Sequence, residues 1–130
     1  MTVPATQTYS IMVVTSRAFL KGAGNQNTTM DIDIGYATSA SATGASITQS
    51  NGSTSAGTIN TGLQDIQLGP NTGNGTPGTT GMLPVTATAV LTLSGGAGGT
   101  TYHFGMIGTV SATGVWSTGT GTISALIVKP

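Results

Sequence analysis

Apolar side chains in this chain recur at every second position, and the polar residues fall between them. Tyr9, Ile11 and Val13 alternate with Ser10, Met12 and Val14. Residues 30–36 (MDIDIGY) alternate strictly, with Asp31 and Asp33 on the polar face. Leu83, Val85, Ala87 and Ala89 alternate with Thr86 and Thr88 and lead into Val90–Leu93. Tyr102, Phe104 and Met106 share a face opposite His103 and Ile107, and residues 121–128 (GTISALIV) form a final run that reads as a buried strand. A period of two is the signature of strands. Ala45–Gln49, Gly57–Thr61 and Ile66–Leu68 are weaker candidates. No window carries a 3.6-residue period, and Phe19-Leu20 and Leu63–Leu68 amount at most to a helical turn each.

Turn-forming clusters separate these runs at Lys21–Thr29, Ser50–Gly57, Gly69–Gly81 and Ser94–Thr100. Asn51-Gly52 and Asn74-Gly75 are pairs suited to positive-φ turns. The spacing predicts an all-β domain of seven to nine short antiparallel strands over residues 9–130, a jelly roll or β-sandwich with long Gly/Thr/Asn loops. Residues 1–8 read as a polar N-terminal arm.

Charge changes the picture most. The chain has 130 residues, of which only 5% are charged, and its net charge is zero. Soluble domains average about 25%. Three scattered cations, Arg17, Lys21 and Lys129, cannot neutralise a run of phosphates, so nucleic acid is not an expected partner. The same shortage argues against a polybasic membrane anchor, and no run of 18 apolar residues suggests a spanning helix. With no cysteine, thiolate metal sites and disulfides are absent. The opening residues lack the basic and apolar regions of a secretory signal, which points to synthesis in a cytoplasm without a leader. From Gln67 to Val128 there is no formally charged side chain. Uncharged surfaces promote association, and the 21 glycines raise the entropic cost of folding alone. Both favour a subunit that meets other protein surfaces.

Chemistry is sparse. His103 is the sole histidine, no Gly-x-Ser-x-Gly elbow accompanies it, and its strand context reads as structural, so no catalytic residue and no enzyme is expected. Asp31 and Asp33 share a strand face and are the one candidate metal site, for Ca²⁺. The plainer reading, adopted here, is a solvated or charge-protected strand face. The glycine-rich 94–100 lacks the Gly-Lys-Ser/Thr of a phosphate loop. No cofactor is expected. Trp116, Tyr9, Tyr36 and Tyr102 read as core or interface residues before a sugar platform.

Residues 89–93 (AVLTL), 99–106 (GTTYHFGM) and 119–129 (GTGTISALIVK) resemble the C-terminal part of small tailed-phage surface proteins. These are capsid decoration (cement) proteins and fibre-tip modules with a jelly-roll fold, often trimeric. The resemblance covers about a third of the chain and carries no functional residues with it. It implies a structural virion protein on the capsid exterior, a homotrimer that reinforces contacts between major capsid protein subunits. The alternative is a tail or head fibre tip binding a host-surface glycan or receptor, although the loops 21–29 and 69–81 hold no Trp or Tyr. An ice-binding face is disfavoured because Thr-x-Thr does not recur at constant spacing.

Overall fold

A computed structural model describes residues 1–21, 28–54, 64–68, 81–110 and 116–129. Nine strands lie within them: β1 (Thr2–Val3), β2 (Thr8–Lys21), β3 (Thr28–Ala37), β4 (Thr48–Gln49), β5 (Gln64–Leu68), β6 (Gly81–Ser94), β7 (Thr100–Thr101), β8 (His103–Val110) and β9 (Trp116–Lys129). All pairings are antiparallel. The fold is all-β, as the alternation predicts.

The first large sheet runs β6-β2-β9. Its strands are 14 residues each. β2 takes the centre for a reason visible in its sequence. Residues 9–14 (YSIMVV) are nearly all apolar, so the outward-facing Met12 and Val14 tolerate the half-burial that two flanking strands impose. Inward from β2 point Ile11, Val13 and Thr15, all buried. Phe19 and Leu20, expected at most to form a helical turn, continue this strand. The register pairs them with Leu83 and Met82 of β6.

The second sheet is built on β3. β8 lies along one edge of it, while β4 and β5 share the other. The weak strand expected at Ala45–Gln49 is instead a single 3₁₀ turn, Gly44–Ser46, followed by the two-residue β4. The strand candidate Ile66–Leu68 is the end of β5, Gln64–Leu68, in place of the helical turn also considered there, and the strand expected at Gly57–Thr61 lies outside the described residues. The turn at Asn51-Gly52 forms as its residues dictate: Gly52 has φ 86°, and Ser53 N donates to Asn51 Oδ1 at 2.8 Å.

The two sheets share one core. Ile11 and Val13 of β2 and Val85, Ala87, Ala89, Leu91 and Leu93 of β6 meet Ile32 and Ile34 of β3. Tyr9, Tyr36, Tyr102, Phe104 and Met106 pack at its margin. β3 lies over β6 and β8 over β2.

A small third sheet, β1 with β7, holds down the N-terminus. Residues 1–8, read from sequence as an arm, lie against the domain. Val3 is fully buried in the core. The Met1 ammonium donates to Tyr102 O at 2.9 Å, and Thr6 N donates to Gly96 O at 2.6 Å. Gly95 makes the close approach possible: a Cβ there would stand 1.8 Å from Pro4 O. The glycine-rich 94–100 is thus a turn fitted around the N-terminal segment, with positive φ at Gly96 and Gly99.

Candidate assembly surface

The register of the β6-β2-β9 sheet sorts its residues into cross-strand rows. On the inner face the rows are Leu91–Ile11–Ile127, Ala89–Val13–Ala125 and Ala87–Thr15–Ile123. In each row the β6 and β2 members are buried, and the β9 member is exposed. Ile11 is 0% accessible and its partner Ile127 41%; Ile123 is 51% accessible. The opposing sheet explains the difference. β3 and β8 cover β6 and β2, and no described strand lies beyond β8 to cover β9. The sandwich is offset by one strand.

The run 121–128 is therefore not the buried strand its continuous apolar sequence suggests. It is tied into the sheet along one edge, and every residue from 121 to 129 is exposed. Among the described residues its other edge has no strand partner.

The outer face of the same sheet is graded. Its rows are Val90–Met12–Leu126, Thr88–Val14–Ser124 and Thr86–Ser16–Thr122. Val90 is 62% and Leu126 57% accessible, so one end is an aliphatic stripe across three strands. The other end is a row of hydroxyls, with Thr86 Oγ1 donating to Ser16 Oγ at 3.2 Å. β9 thus carries large apolar side chains on both faces, an arrangement that costs free energy in water unless another surface covers it.

Where β9 diverges from β8 the sandwich opens. A cavity of about 150 Å³ lies there, lined by Thr15, Arg17, Met106, Gly121 and Ile123 among others. Thr15 Oγ1 is buried beside it with no hydrogen-bond partner. Gly121 leaves room for Arg17: a Cβ at 121 would stand 3.1 Å from Arg17 Cγ and 2.7 Å from Ser16 O.

The two candidate calcium ligands part company. Asp31 is half-buried, but Asp33 is fully buried, contrary to the solvated face expected for both. The excursion from 38 to 54 returns beside β3 to pair with it as β4, which brings Ile47 against Gly35 and the Ser50 amide to Asp33. Asp33 Oδ1 accepts from Ile34 N at 2.6 Å and Oδ2 from Ser50 N at 3.3 Å. Its carboxylate anchors that excursion to the strand. The register also sets Asp65 of β5 across from Asp31, so two adjacent strands hold all three acids, a relation that no spacing in the sequence announces. Among the described residues no group of three or more metal-binding side chains is placed to hold an ion.

His103 is exposed at the start of β8. It lines a shallow depression of about 130 Å³ with Tyr36, Ile47 and Phe104. The Tyr36 and Tyr102 rings meet edge to face, 6.1 Å apart. Burial first, and the neighbouring Tyr102 second, push the Tyr36 hydroxyl above its ordinary pKa of 10.0. Tyr102 OH donates to Ser94 O at 2.7 Å. Tyr9, Tyr36 and Tyr102 are thus packed at the core margin; Trp116 enters as the first residue of β9.

Among the described residues no helix is long and apolar enough to cross a membrane. Comparison with protein-family models, with characterised proteins and with solved structures found no match.

Proposed function

We propose that the chain is a structural virion protein, a phage capsid decoration protein that binds the outer capsid surface and reinforces contacts between major capsid protein subunits. The observation that carries this reading is β9, a 14-residue strand at the sheet edge with exposed Ile123, Leu126, Ile127 and Val128. An isolated soluble protein seldom keeps such a strand uncovered, whereas a subunit that lives in an assembly does. The neutral stretch 67–128 fits close protein contact without charge desolvation. The resemblance of residues 89–93, 99–106 and 119–129 to phage surface proteins supplies the kind of assembly: a homotrimer on the capsid exterior, needing neither cofactor nor catalytic centre.

Quantitative mass spectrometry of purified particles tests this. The expected result is a copy number on the scale of the major capsid protein. A few copies per particle would favour the fibre-tip reading, and absence from particles would overturn both.

A further inference from the structure

We infer that residues 1–4 are an exchangeable strap. They seat either in their own domain, as described above, or in the same place on a second copy of this chain, so that copies are linked by traded N-termini. The exchange goes beyond the capsid reading and needs only a second copy, not a capsid.

The strap has a built seat. Val3 is fully buried in the core. Thr2 and Val3 pair with Thr101 and Thr100, and the hydroxyls of Thr2 and Thr101 share a hydrogen bond at 2.9 Å. The Met1 ammonium donates to Tyr102 O at 2.9 Å, and Met1 O accepts from Tyr102 N at 2.7 Å. Gly95 lacks the Cβ that would collide with Pro4 O. Met1 and Thr2 meet these partners 101 and 99 residues away along the chain, so folding and not neighbouring sequence joins the strap to its seat. Every copy of the chain offers the identical seat.

The hinge is strained. Gln7 N donates to Pro4 O at 3.2 Å and closes a β-turn over Ala5 and Thr6. Thr6, the third residue of that turn, has φ 61° and is the one non-glycine residue at positive φ among the described residues. Turns of this kind take glycine or asparagine there, and a β-branched residue at that φ is an outlier, disfavoured by about 5- to 30-fold. Opening the turn gives up its own hydrogen bond and the one from Thr6 N to Gly96 O, and it lets Thr6 relax to an extended φ. Every contact of residues 1–4 with the domain is then remade in the second copy. A short hinge under strain favours this exchange. Ala5–Gln7 span at most about 11 Å when extended, so the linked copies stay in contact.

A strap that only frays from its seat is the competing reading. Fraying leaves each chain separate, whereas exchange places the strap of one chain against β7 of another.

The test uses two variants of the full chain, Thr2→Cys and Thr101→Cys, in a sequence without native cysteine. The double variant is oxidised first. A disulfide within it shows that the opposed pair can be joined. The two single variants are then mixed at high concentration, oxidised and run on a nonreducing denaturing gel. The expected result is a covalent heterodimer well above the dimer that either variant forms alone. A mixture no better than the single variants would overturn the exchange.

If the double variant does not oxidise, the hinge decides. Thr6→Gly removes the strain of the closed turn and keeps its backbone bonds. By size-exclusion chromatography with light scattering, it should lower the association constant of the wild-type oligomer by about 5- to 30-fold for each strap exchanged. A wild type that is monomeric at every concentration, or an oligomer that Thr6→Gly leaves unchanged or strengthens, would overturn the inference. Capsid binding is a separate assay. Exchange without capsid binding sinks the decoration reading alone, and capsid binding without exchange sinks this inference alone.

Discussion

Ile11 and Ile127 are direct cross-strand partners on the same face of one sheet, yet one is sealed in the core and the other is open to solvent. The pair separates what the fold encloses from what it leaves open. Ile11→Ala should destabilise the domain by about 2–5 kcal/mol, the usual result of truncating a fully enclosed aliphatic side chain. Ile127→Ala should change the stability of the monomer by no more than about 0.5 kcal/mol while weakening the proposed self-association. Urea unfolding at high dilution, paired with sedimentation at high concentration, checks both.

The Asp33 carboxylate holds two backbone amides in a buried setting. Asp33→Ala strands them and should cost about 1–3 kcal/mol for each amide left without a partner. Asp33→Asn keeps one acceptor oxygen and should cost less. The amide of Ser50 should exchange faster in both variants. Hydrogen exchange followed by mass spectrometry over residues 44–54 reads this directly. Unchanged exchange there would show that the excursion beside β3 does not depend on the carboxylate.

The N-terminal segment is held by a close approach that only glycine permits at position 95. Gly95→Ala should displace residues 3 and 4, loosen Val3 from the core and destabilise by about 1–3 kcal/mol, the range for forced overpacking. Gly98 sits in the same loop with nothing within 4 Å of where a Cβ would lie, so Gly98→Ala is the control and should be close to neutral. Thermal melts of the two variants side by side would distinguish a specific clash from general loop sensitivity.

Tyr36 gives a pH dependence of definite sign. Its folded-state pKa is raised, mainly by burial, so the folded chain holds this proton longer than the unfolded one. The stability this contributes is complete below the unfolded value of about 10 and is lost as pH rises through the folded value. Tyr36→Phe should flatten that alkaline decline. Unfolding midpoints measured from neutral pH upward, together with ultraviolet titration of tyrosinate, would show it.

Much of this fold can be read in the residues. Alternation at 9–14, 30–36 and 83–89 marks β2, β3 and β6, but not which of them is central. Two things could not be read. Alternation says which side chains share a face but not whether another sheet covers it, so residues 121–128 look buried when the opposing sheet is one strand too narrow. Likewise, the pattern around Asp33 is that of a solvated strand, whereas the chain returns beside β3 as β4 and brings the Ser50 amide to a buried carboxylate. The acidic neighbourhood of Asp31 and Asp65 depends on register, which loop and core geometry set together. By contrast, Asn51-Gly52 makes its turn where the sequence places it, because that conformation is local.

The order in which β2 finds its partners has a kinetic consequence. Its two neighbours are β6 and β9, so Thr8 pairs with Ser94 and Ser10 with Lys129. The central strand of the larger sheet is completed only by segments some 60 to 120 residues away along the chain. Such remote pairings must be closed before they are rewarded, which places folding in the slow range of about milliseconds to seconds. Until β9 arrives, β2 offers an open, strongly apolar edge of its own. That interval is when the chain is most exposed to mispairing, and expression at lower temperature or with chaperones should raise the soluble yield.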